Sequence, residues 1–246
     1  MRAPPSADML DAWERGEAEP MSARALRLLA LAGTGIDRER LAALPIGRRD
    51  ALLLEFRALL FGPTLIGVSA CPDCNLHVEA VFDADAIVVH ERADASAPSE
   101  HAIAVAGTTI RFRLPDSRDL IALAACRDVD PRRELLNRCV LAVDGDGIDE
   151  GKPHDLPDAL ADAVERAMAI ADPQADVQLA FACPACAHRW YAAFDIARYL
   201  WREIRAWAHR MLRDVHALAS AYHWREADIL ALGERRRQAY LELCRV

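Results

Sequence analysis

The sequence predicts an α+β protein, on three observations. Two cysteine hooks, Cys71-Pro72-Asp73-Cys74 and Cys183-Pro184-Ala185-Cys186, are separated by 183 − 74 = 109 positions. Around each hook apolar residues alternate with period two, as a half-buried strand requires. Elsewhere the apolar spacing is that of helices. The expected architecture is a pair of CPxC hairpins meeting at one site, an α+β insertion between them and a C-terminal helical region.

Residues 1–43 read as an N-terminal arm. Pro4, Pro5, Gly16, Pro20, Gly33 and Gly35 punctuate it and leave one short helix, Met21 to Leu31. Residues 44–86 hold a helix and the first hook. Apolar residues at 52, 53, 56, 59 and 60 place the helix over Asp50 to Leu60, and Gly62-Pro63 stops it. Leu65 to Val68 then lead into the hook, and Leu76, Val78 and Ala80 alternate on leaving it.

Residues 87–176 form the insertion. Ala102 to Val105 and Thr109 to Leu114 read as a strand pair joined through Ala106-Gly107. Helices are expected from Ser117 to about Arg127, from Pro131 to about Val143 and from Asp158 to Ala169, opened by Asp, Ser or Pro. The acidic run from Asp144 to Asp149 lacks both an oxygen ligand at Ile148 and a sixth-position glycine, so it reads as a solvated turn and not as a calcium loop.

Residues 177–195 are the second hook with its flanking strands, and residues 196–246 the C-terminal helices. Positions 196, 200, 204, 207, 211, 215 and 218 trace one stripe of a long helix, and shorter helices follow over Arg225 to Leu232 and Glu234 to Leu243. Eight of the nine Trp and Tyr residues lie beyond residue 189, which makes this end either the densest core or a docking surface, with core the favoured reading.

The net charge is −8. That acidity argues against a dedicated nucleic-acid binder, because phosphate neutralisation supplies most of such affinity. The sign is uneven: residues 196–246 hold 10 Arg against 6 Asp and Glu, or +4, leaving 20 − 32 = −12 for the rest. No apolar run reaches the roughly 18 to 20 residues of a membrane helix, and the first twenty residues lack a signal-peptide layout, so a cytoplasmic protein is expected. Seven cysteines fit a reducing compartment better than a disulfide scaffold. Cys126, Cys139 and Cys244 stand alone in helical patterns and read as small buried apolar residues.

The hooks carry the chemistry. Aligned on their cysteines they share the pattern Cys-Pro-x-Cys-x7-Phe-Asp, ending at Phe82-Asp83 and Phe194-Asp195, so the chain contains an imperfect repeat of hairpin, capping Asp and helix. Two thiolates separated by two residues can face one centre, and two such turns complete a tetrahedral four-sulfur shell. Cys71, Cys74, Cys183 and Cys186 are therefore the expected ligands of one structural zinc ion in a zinc-ribbon-like site. A closed shell leaves no position for an activated water, so no catalysis is expected there. The residue after each second cysteine should need positive φ; Asn75 tolerates this and Ala187 should be strained. His77 and His188 are alternative ligands made unnecessary by four cysteines. A dithiol redox pair would sit at a helix N-terminus after a strand, whereas both hooks run on into strand sequence. No phosphate loop, nucleophile elbow or His-Glu-x-x-His helix occurs, and Glu165 and Asp172 read as scattered surface carboxylates.

The strings GRRDALLLEFRALLFGPTLIGVSACPDC, RFRLPDSRDLIALAA and DPQADVQLAFACPACAHRWYAAFDIARYLWREI, with MLRDVHALASAYHWREADILAL after them, resemble the T4-like phage baseplate protein family over roughly Leu44 to Leu243. Members are baseplate hub assembly proteins and also occur in gene clusters for phage-tail-like contractile injection systems. The resemblance implies a non-enzymatic baseplate part or assembly factor, with other baseplate, hub, spike or tube proteins as partners and with the four cysteines as family-like zinc positions. The alternatives from other classes are a zinc-ribbon protein contacting nucleic acid and a dithiol redox protein.

Overall fold

Helix α4, Ile46–Phe61, is buried on most of its sides, with Leu52, Leu53, Leu54 and Phe56 and even Arg49, Asp50 and Arg57 out of solvent, so the rest of the fold wraps it. The computed structural model describes residues 1–88, 100–144 and 156–244. Two helices pack against α4: α2, Met21–Leu31, through Ala25, Leu28 and Leu29, and α8, Ile196–Tyr222, through Ile196, Leu200 and Ile204. The short α3, Arg38–Ala42, adds Leu41 to the same core.

The N-terminal stretch is not a loose arm. Its first helix, α1, Ser6–Gly16, buries Met9, Leu10 and Ala12 and packs on α2 and α8. Gly16 meets the Trp201 ring so closely that an added Cβ would lie 2.3 Å from a ring carbon. Pro5 begins the helix here, a use of proline that is compatible with helix entry.

After α4, Gly62 takes φ +90° and turns the chain into β1, Thr64–Ala70, which pairs antiparallel with β2, His77–Asp83. The matching pair is β6, Val177–Ala182, with β7, Arg189–Phe194. Between them lie β3, His101–Val105, β4, Thr108–Phe112, α5, Ser117–Ala125, α6, Pro131–Cys139, β5, Val140–Asp144, and α7, Asp158–Ala171. The three strands form one antiparallel sheet in the order β3-β4-β5. Ile110 and Phe112 of β4, Leu136, Val140, Leu160 and Val164 make a second cluster, separate from the α4 core. The strand β5 replaces the last turn of the helix expected to reach Val143. Val140-Leu141-Ala142-Val143 suits either state, and pairing with β4 decides it. The possible calcium loop falls, beyond Asp144, outside the described residues.

Two points of the insertion, its middle and its C-terminal end, return to the start of α4. Pro45 bridges to Asp116, the Ile46 N–H donates to the Pro115 carbonyl at 3.2 Å, and the Gly47 N–H donates to Asp172 Oδ2 at 2.9 Å. Asp172 is thus no scattered surface carboxylate: it sits at the positive end of α4, and a Cβ on Gly47 would fall 1.9 Å from its other oxygen. Glu165 does lie on the surface, paired with Arg132.

The C-terminal helices α9, Glu226–Leu230, and α10, Glu234–Leu243, fold back on the end of α8. Leu218, Ile229 and Leu241 are buried there beneath a ring cluster of Tyr222, Trp224 and Tyr240 with centroids 4.8 to 5.7 Å apart. Most late aromatics serve the core, as their clustering predicts, but Tyr191 is 75% exposed. Cys139 is buried, Cys244 partly so, and Cys126 is exposed, contrary to its apolar context, because α5 ends one residue before it.

Candidate metal centre

Cys71–Leu76 connects β1 to β2 and Cys183–His188 connects β6 to β7. The two connections have the same backbone. In each, the N–H of the first cysteine donates across the turn, Cys71 to the Leu76 carbonyl and Cys183 to the His188 carbonyl, both at 2.8 Å. In each, the residue after the second cysteine donates back to the first, Asn75 to Cys71 at 2.9 Å and Ala187 to Cys183 at 3.0 Å. Asn75 and Ala187 both take φ 59°, as the turn demands. Asn reaches this left-handed region with little penalty; Ala places its Cβ against the following carbonyl and is strained.

The hairpins face each other. At Gly67 of β1 they approach closely, since a Cβ there would lie 3.3 Å from Leu179 and 3.6 Å from Phe181. Trp190 donates its Nε1–H to Ser69 Oγ at 3.1 Å, bridging β7 to β1. The Phe181 and Trp190 rings stack at 5.4 Å and the Phe82 and Phe194 rings meet edge to face at 5.6 Å. On the outer edge of β1, the Ile66 N–H donates to the Tyr199 hydroxyl at 3.1 Å, so α8 satisfies a group the two-stranded sheet leaves open.

This packing brings the four sulfurs together. All lie within 4.8 Å of one another, and the shortest contacts cross between hooks: Cys71 Sγ to Cys186 Sγ is 3.6 Å, and Cys74 Sγ to Cys183 Sγ is 3.5 Å. A four-thiolate shell with bonds of about 2.3 Å has tetrahedral edges of about 3.8 Å, close to the two contacts that cross between the hooks. The first cysteine of each hook is buried and the second exposed. Exchange of the two hooks therefore leaves the pattern unchanged, an approximate twofold through the centre of the sulfurs.

Backbone N–H groups point at these sulfurs. Those of Cys186 and Ala185 lower the pKa of Cys183 to about 7. The His188 N–H acts in the same sense on Cys186, but desolvation and the nearby sulfurs outweigh it and hold that thiol up at about 12. Four thiols this close do not all ionise unaided; a cation among them would supply the missing stabilisation. The His188 imidazole has other partners: its Nδ1 lies 3.1 Å from Asp73 Oδ2, a contact between the hooks, and its ring lies beside Trp190 at 6.0 Å. His77 begins β2 and is exposed.

The repeat differs after its Phe-Asp. Asp195 caps α8, accepting the Arg198 N–H at 3.0 Å. Asp83 caps no helix; it accepts the Thr64 hydroxyl at 3.0 Å and is followed by a single 3-10 turn, Ala84–Ala86. The residues behind Asp195 favour helix, whereas Ile87 and Val88 behind the turn are β-branched.

Residues 25–201 match the family described as T4 bacteriophage base plate protein. This chain belongs to that base plate family. The match starts within α2, takes in α4, both hooks and the insertion, and ends at Trp201, in the second turn of α8. It begins earlier and ends earlier than the span the sequence strings suggest, so most of α8 and all of α9 and α10 lie beyond it. No curated protein and no solved structure matches the chain. Among the described residues no helix is long and apolar enough to cross a membrane.

Proposed function

We propose that the chain is a non-enzymatic structural or assembly protein of a phage-type baseplate, held together at its centre by one zinc ion on Cys71, Cys74, Cys183 and Cys186. The family match over residues 25–201 carries this reading. The four-sulfur cluster supports the metal assignment, since four thiolates select zinc among the common divalent ions. The ion would supply a fixed link between two hairpins far apart in sequence. With four protein ligands it keeps no open position, and the site is then a clasp of a zinc-ribbon-like body and not a reaction centre. The segments 44–86 and 177–195 form that body, and 87–176 is an insertion with its own small core.

Partners under this reading are other baseplate, hub, spike or tube components of the same particle. The test is elemental analysis of protein purified without chelator, followed by co-purification with those components. One zinc per chain and a stable complex are expected. Metal-free protein that remains a monomer in the presence of every other baseplate component overturns the reading.

A further inference from the structure

Along α8, Arg198, Arg202, Arg205, His209, Arg213 and His216 are all exposed. Their mean spacing, (216 − 198)/5 = 3.6 residues, is the period of the helix, so they form one row parallel to its axis, about 27 Å long at 1.5 Å per residue. The row lies opposite the face that buries Leu200, Ile204, Ala208 and Met211.

The charge on this row is not balanced. The two carboxylates of α8 are both committed elsewhere, Glu203 to the buried Arg57 and Asp214 to the buried Arg237. Asp195 and Glu17 come no closer than 3.7 Å to Arg198 and Arg205, and among the described residues no carboxylate lies within 4.0 Å of Arg202 or Arg213. Some exposed arginines on other elements are closely paired, such as Arg118 on Asp116 at 2.6 Å and Arg132 on Glu165 at 2.6 Å; others, such as Arg48, Arg166 and Arg189, have no carboxylate within 4.0 Å among the described residues but form no such row. Like charges three and four residues apart on a helix repel, so the row costs the free protein stability. In a chain of net charge −8 it is not a by-product of composition.

We infer that this face of α8 is a docking surface for an acidic helix of another protein. A helix lying alongside carries carboxylates at the same repeat, which lets each guanidinium take a two-pronged hydrogen bond. Phosphate backbones are the less suited polyanion, because the acidity of the rest of the chain repels nucleic acid. The surface lies almost wholly beyond the family match, so it sets which partner this chain selects and not the fold. It rests on the baseplate reading only in that a structural component acts by contact.

The test is fluorescence anisotropy of the full chain with a labelled alanine-based helical peptide of about 20 residues carrying Glu at i, i+4, i+7, i+11 and i+14. Single-stranded and duplex DNA oligonucleotides are the comparison probes. Saturable peptide binding is expected, weakening about tenfold or more in the triple variant Arg202→Glu, Arg205→Glu, Arg213→Glu and less than about twofold in Arg40→Glu, Arg48→Glu, Arg166→Glu. Equal weakening in both triples overturns the inference. So does DNA binding tighter than peptide binding and lost with the same three arginines. If the first triple loses helical circular dichroism, the Gln triple replaces it. Neither metal nor a baseplate component enters the measurement, so its failure and that of the proposed function are distinguishable.

Discussion

Phe82 and Phe194, 194 − 82 = 112 residues apart, meet edge to face with ring centroids 5.6 Å apart and planes at 90°. They hold equivalent places in the repeat, so one residue type packs against its own counterpart across the approximate twofold. Truncating either ring to Ala should cost about 2–4 kcal/mol, below the usual Phe→Ala range because both are only partly buried. The pair should show a coupling of about 1 kcal/mol in a double-mutant cycle by urea denaturation. Additive single effects would show that the contact contributes nothing beyond burial.

If the proposed zinc ion clasps the hooks, its removal should loosen the hairpins first. Chelation, or Cys183→Ser, is expected to lower the thermal midpoint and to expose the β1-β2 and β6-β7 amides to hydrogen exchange, while amides of α4 keep their protection. The reason is placement: Leu53, Leu54 and Phe56 lie in a core built mostly by helices, which the hairpins join only through Leu65 and the partly buried Phe82 and Phe194. Unchanged exchange after metal loss would contradict the clasp.

Ala187→Gly should stabilise the protein by about 0.5–1 kcal/mol, since it removes the penalty of Cβ at φ 59° and returns part of that gain as chain entropy. Asn75→Gly, in the same conformation, should change stability by less, because Asn already tolerates it. Thermal or denaturant unfolding of the two variants side by side is the measurement.

Arg57 ties three elements. Its buried guanidinium pairs with Glu203 at 2.7 Å and donates to the Gly62 and Thr64 carbonyls at 2.7 and 2.6 Å. Arg57→Met should cost about 3–5 kcal/mol, since it leaves Glu203 and two carbonyls without their donor. Glu203→Gln keeps an acceptor in place and should cost less.

Asp50 gives a pH dependence. Burial raises its pKa from 3.8 to about 6, against the pull of Arg49 at 2.7 Å. A carboxyl with a raised folded pKa binds its proton more tightly when folded, so its contribution to stability is largest below pH 4 and is lost as pH rises towards 6. The loss is about 3 kcal/mol. Asp119, held below the ordinary carboxylate range by Arg113 and Arg138 although burial opposes them, acts in the opposite sense at lower pH. Asp50→Asn should abolish the decline between pH 4 and 6 in denaturant titrations; a decline that persists assigns it to another group.

The parts of this fold legible in the sequence are those with a local signal. The hooks show themselves by Cys-Pro-x-Cys and by the period of two around it, and α8 by seven apolar positions in one stripe. Where two states share one pattern, the sequence is silent: Val140 to Val143 extend α6 as plausibly as they form β5, and only β4 decides between them. Proline and glycine mislead at α1, because Pro5 opens that helix and Gly16 fits beneath Trp201. Contacts such as Arg57 with Glu203, 203 − 57 = 146 residues apart, or Gly47 with Asp172 leave no sequence trace, since nothing in an Arg or an Asp names its distant partner.

Closure across 109 residues also sets a clock on synthesis. At roughly 5–20 residues per second, Cys71 and Cys74 leave the ribosome on the order of 5–20 s before Cys183 and Cys186 exist. The nascent chain spends that interval as half a clasp, and a polypeptide cut short anywhere in the insertion can never shut it. Only a product translated through its second hook can bring all four sulfurs together, so the topology itself separates complete copies from incomplete ones.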